Sequence, residues 1–136
     1  MANILVGYDG SDSAKHALVR AAGLHTGGDR FGVISVVPLV ATGPRSGGPF
    51  SPGDDPERHR AELDEAQQLL TGRGIDAELI EAVGDPGTAI CEAAQRHEFD
   101  MIVVGSRNLR GMKRLLLGSV SDRVARYAPC DVLIVK

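Results

Sequence analysis

Ile4-Leu5-Val6-Gly7-Tyr8-Asp9-Gly10-Ser11-Asp12-Ser13-Ala14 runs from three apolar β formers through a glycine-bounded polar turn into a different period. Ala14, Ala17, Leu18, Ala21 and Ala22 then fall at i, i+3, i+4, i+7 and i+8, the spacing of one helical face. The stretch therefore predicts strand, turn and helix in immediate succession, with Ser11 or Asp12 as cap and Gly27-Gly28 as the stop.

The same alternation continues outward from it. Phe31 to Val37 reads as a second strand, apolar apart from Gly32 and Ser35, as a parallel strand covered by helices on both faces should be. A helix is expected from about Glu57 to Thr71, with Leu63, Ala66 and Leu70 inward and Glu57, Arg60, Asp64 and Glu65 outward. Ala77 to Val83 is a third strand, Asp85-Pro86 opens a helix that turns Ile90, Ala93 and Ala94 to the core, and Met101 to Val104 is a fourth strand. Ser119 to Tyr127 reads as the last helix, carrying Val120, Val124 and Tyr127, and Asp131 to Lys136 as the fifth strand.

Strands that alternate with helices imply right-handed crossovers and hence an α/β fold: a doubly wound, five-stranded parallel sheet with helices on both faces, one domain over 1–136. Between residues 38 and 56 the pattern stops. Five of the seven prolines stand there with Gly43, Gly47, Gly48 and Gly53, which predicts a long flexible loop, either surface decoration or a lid. In sheets of this kind a ligand lies beyond the carboxyl ends of the strands, where the strand order reverses. That rule directs attention to the loops after strands one and four.

Composition narrows the partners. Fifteen Lys and Arg against eighteen Asp and Glu leave a formal charge of −3, so no overall positive field exists to gather nucleic acid or anionic membrane. The opening residues lack a basic start and a long apolar run, and no segment approaches membrane-spanning length, so a cytoplasmic protein is expected. Cys91 and Cys130 have no Cys-x-x-Cys spacing and read as buried small hydrophobes. His16, His25, His59 and His97 show no metal-ligand spacing and are expected to be solvated or capping.

After the fourth strand the chain reads Gly105-Ser106-Arg107-Asn108-Leu109-Arg110-Gly111-Met112-Lys113-Arg114-Leu115-Leu116-Leu117-Gly118-Ser119-Val120-Ser121. Gly105 lets the backbone leave the strand closely, and Gly118-Ser119 starts a helix whose free amides and positive dipole end suit an anion. Ser119 with Asp122 also fits a capping signature, so the serine has a purely structural reading as well. Arg107, Arg110, Lys113 and Arg114 place four cations in eight residues of an otherwise acidic chain. By themselves these are either a polyphosphate cradle or solvated side chains on a loop.

Gly105, Asn108, Gly118 and Ser119 fall on the spacing G-x2-G-x9-G-[S/T], matching three of its four positions, and here the sequence resembles the universal stress protein family. Ile4 to Ser13, Gly84-Asp85-Pro86, Leu115 to Ser121 and Pro129 to Val135 are similar to the family too, so the resemblance covers the chain apart from the loop after strand two. It implies a Rossmann-like sheet of the adenine nucleotide alpha hydrolase-like type that binds ATP. Asp9 would meet the nucleoside, Val36 would line the adenine pocket, and Gly105, Arg107, Asn108, Gly118, Ser119, Val120 and Ser121 would belong to the phosphate loop. Magnesium would be held through the phosphates. Asp9 has its own rationale, since a carboxylate accepts from ribose hydroxyls; the alternative is an Asx-turn with Gly10. Asn108 departs from the motif glycine, although asparagine tolerates positive φ better than other side chains.

The resemblance further implies a homodimer paired through Val132 to Val135, which would hide an apolar edge. Other readings are weaker. No G-x-x-x-x-G-K-[S/T] loop is present, and Tyr8 to Ser13 keeps only half of the S-G-G-x-D-S loop of adenylating enzymes. Strand three ends in Ala82-Val83-Gly84 rather than the aspartate of a phosphoacceptor receiver, and aromatic residues for stacking a flavin are scarce. The expectation is thus a nucleotide-binding stress-response or signalling module, not an enzyme, with a nucleotide-free dimeric interaction module or a slow ATPase as alternatives.

Overall fold

The computed structural model describes residues 2–37, 56–106 and 119–136. In chain order the elements are β1 (Ile4–Gly7), α1 (Asp12–Leu24), β2 (Phe31–Val37), α2 (Pro56–Thr71), β3 (Glu78–Val83), α3 (Pro86–Arg96), β4 (Met101–Gly105), α4 (Ser119–Tyr127) and β5 (Asp131–Val135). All strand pairings are parallel, in the order β3-β2-β1-β4-β5. The doubly wound α/β sheet expected from the alternation is present, with the reversal of order falling between β1 and β4. The 38–56 loop lies outside the described residues except for Pro56, which already belongs to α2.

Successive strand residues serve opposite faces, and the core divides accordingly. Ile4, Val6, Tyr8, Phe31, Val33 and Val103 pack with Ala14, Ala17, Leu18 and Ala21 of α1 and Leu63, Ala66 and Leu70 of α2. Leu5, Ile34, Val36, Ile102 and Val104 face the other way, onto Ile90 and Ala94 of α3 and Val124 of α4. All of β2 is buried, which is why its sequence is almost continuously apolar. The glycine that interrupts it leaves room for Phe99: a Cβ on Gly32 would come 2.6 Å from that ring.

Caps account for two helix starts. Ser11 Oγ accepts from the Ala14 amide at 3.1 Å, and Asp85 accepts from the Thr88 amide at 3.0 Å ahead of Pro86. Some expectations need correction. α1 stops at Leu24, where the His25 amide bonds back to Ala22, so Gly27-Gly28 lies beyond the helix instead of ending it. Tyr127 is 66% exposed with the Arg123 guanidinium over its ring, because α4 turns Val124 and not Tyr127 to the core. Cys91 is buried but Cys130 only half so. No helix among the described residues is long and apolar enough to cross a membrane.

Candidate functional site

The carboxyl ends of β1 and β4 lie side by side at the point where the sheet order reverses. β1 delivers Tyr8, Asp9 and Gly10 to this end. The Tyr8 amide still bonds to the Ile34 carbonyl at 2.9 Å, so the chain leaves the sheet only after that residue. Asp9 Oδ1 then accepts from the Ser11 amide at 3.0 Å, the Asx-turn that was the structural alternative for this residue. Gly10 follows at φ +79°, which favours glycine. The turn and a nucleoside contact are compatible, because Oδ1 makes the turn while the second carboxylate oxygen is bonded to none of the described residues.

β4 reaches the site through Gly105. A Cβ there would sit 2.7 Å from the Ser13 backbone oxygen, so glycine lets β4 end directly against the first turn of α1. The Ser106 amide bonds to the Val135 carbonyl at 2.8 Å and holds the departing chain beside β5. Val36 is buried at the carboxyl end of β2 in the layer facing α3 and α4. Ser119 is the first residue of α4, and Asp122 pairs with Arg126 at 3.1 Å. Val120 is half-buried and Ser121 is buried. Arg107, Asn108 and Gly118, with the cations at 110, 113 and 114, lie outside the described residues.

A polar seam that the sequence reading missed runs from the same turn into the sheet. Ser35 Oγ and His59 Nδ1 are hydrogen-bonded at 2.7 Å, the donor set by the histidine tautomer, and Glu62 Oε1 lies 3.4 Å from the same nitrogen. His59 is buried, against the expectation that it would be solvated or capping. Glu62 Oε2 stands 2.9 Å from the position a Cβ on Gly10 would take. Tyr8 donates its hydroxyl hydrogen to Glu65 at 2.5 Å; burial first, then this bond, pushes the phenol far above its usual range. Burial also raises the Glu62 carboxyl to about 7, Asp9 and Glu65 add to the rise, and Arg58 opposes it. The helical stripe 59, 63, 66, 70 was the available signal, since it places His59 on the inward face with Leu63.

The family model for the universal stress protein family matches residues 1–136. The chain belongs to the universal stress protein family. Among curated relatives of this stress protein, the universal stress protein YxiE of Bacillus subtilis is 32% identical, covering 98% of this chain and 97% of its own. A universal stress protein solved in complex with cAMP is 30% identical with a TM-score of 0.74, covering 99% of this chain and 97% of its own. The universal stress protein UspA from Lactobacillus plantarum is 27% identical with a TM-score of 0.75, at 99% and 97% coverage. Stress response and the Rossmann-like sheet thus describe this chain at the family level.

Proposed function

We propose that this universal stress protein binds an adenine nucleotide, ATP before others, at the reversal between β1 and β4, and acts as a cytoplasmic stress-response or signalling module without turning the ligand over. The observation that carries the reading is the juxtaposition of the Asp9–Gly10 turn with the glycine-led exit of β4. Points where the strand order reverses are where such sheets take their ligands. Asp9 is assigned to the ribose, Val36 to the base, and Gly105, Arg107, Asn108, Gly118, Ser119, Val120 and Ser121 to the phosphates, with magnesium held through those phosphates. The donor set is of the right chemistry: a carboxylate with one oxygen outside the turn, an apolar residue at the end of β2, and the start of a helix. The relative in complex with cAMP supports an adenine nucleotide as the ligand class.

The functional unit in this proposal is a single domain over 1–136, paired as a homodimer through Val132 to Val135. β5 supports it by forming one rim of the sheet with only half-buried apolar side chains. The same rim favours a second reading, a dimeric interaction module that takes no nucleotide. Calorimetric titration of nucleotide-stripped protein with Mg-ATP separates the two. Saturable binding that a Gly118→Asp carboxylate abolishes is the expected result; no heat from the wild type leaves the interaction module.

A further inference from the structure

Glu62 combines three properties that packing alone does not demand. Its side chain is only 12% exposed, its Oε1 atom is buried without a hydrogen-bond partner among the described residues, and its Oε2 atom occupies the space beside Gly10. A buried carboxyl left with an unsatisfied oxygen is costly in its charged form and less so when neutral. We propose that Glu62 is a positioning residue for the nucleoside end of the site: its carboxyl props the Gly10 backbone and keeps the Asp9–Gly10–Ser11 turn in its shape. The inference rests on the nucleotide reading above and extends it to a residue on α2 that touches no ligand.

The groups around the carboxyl set the sign of the effect. α2 itself contributes Arg58, whose Nε lies 3.5 Å from Oε2, His59 at 3.4 Å from Oε1, and Glu65. From the end of β1 come Asp9 and Tyr8, the latter bonded to Glu65, and from β2 comes Ser35 through His59. α1 supplies Lys15, which meets Glu65 at 3.8 Å. With burial and two carboxylates outweighing Arg58, both forms of Glu62 are populated near neutrality. The charged form repels Asp9 across Gly10. An anionic nucleotide next to the turn disfavours that form further, so binding and protonation of Glu62 reinforce each other.

Wild type and Glu62→Gln should be compared by NMR of the Gly10 amide and by Mg-ATP calorimetry between pH 5.5 and 8.5. The ligand's own protonation is common to both proteins and cancels. In the wild type the Gly10 amide should titrate with the 13C carboxyl signal of Glu62 at one midpoint near 7, and affinity should fall about tenfold across it. In Glu62→Gln the amide should stay still and affinity should keep its low-pH value. Since the amide variant can disturb packing around His59, the shared midpoint in the wild type is a test by itself. Separate midpoints, a Gly10 titration that survives in Glu62→Gln, or wild-type binding that ignores pH would each overturn the positioning role. Absence of Mg-ATP binding at every pH, with Gly10 and Glu62 still titrating together, would instead remove the nucleotide reading and the role that depends on it.

Discussion

Gly10 answers two demands at once, a positive φ and the close approach of the Glu62 carboxyl, and no other residue meets both. Gly10→Ala should therefore cost about 1–3 kcal/mol in urea denaturation, more than the backbone penalty alone, because the new methyl displaces a buried side chain. Glu62 adds a pH signature. Its folded pKa stands at about 7 against an ordinary 4.5, so the stability it carries is fully present below 4.5 and is lost as pH rises through 7. Between pH 5 and 8 the wild type should lose about 2 kcal/mol relative to Glu62→Gln, read from paired urea melts. Tyr8→Phe is milder: it removes one partly buried hydrogen bond to Glu65 and should cost about 1 kcal/mol. The Asp9 turn was legible from its place after an apolar run, whereas nothing in the sequence sets Glu62 apart from the other charges of α2.

Elements meet where small residues permit it. β4 ends against α1 because Gly105 has no Cβ to strike Ser13, and Gly105→Ala should lower stability by about 1–3 kcal/mol even without ligand, which thermal unfolding of the apo protein measures. Leu18 of α1 is fully buried in the core layer that α1 shares with α2; Leu18→Ala should cost about 2–5 kcal/mol in the same assay. Helix periods and caps were readable in α1 and α3, where apolar spacing, Ser11 and Asp85 agree. They failed at the last turn of α4, where Tyr127 continues the apolar spacing on paper yet is 66% exposed. At His59 the period points inward with Leu63, but periodicity states which way a residue faces and not what polar group waits there.

At the scale of the molecule, a rim strand with half-covered apolar side chains supports pairing across a two-fold axis. Light scattering over micromolar concentrations should return twice the chain mass; a single chain mass would sink the dimer. The alternation of strand and helix, the parallel sheet and the glycine-bounded turn after β1 follow from the sequence by itself, because apolar period, caps and turn residues act over a few neighbouring positions. Only the tertiary structure decided the register in which β1 and β4 pair, Ile4 with Met101, and that Ser35, His59 and Glu62 line up behind Gly10. Those contacts join residues far apart in the chain, and their energies come from burial and from charges facing one another across elements, which no local pattern encodes.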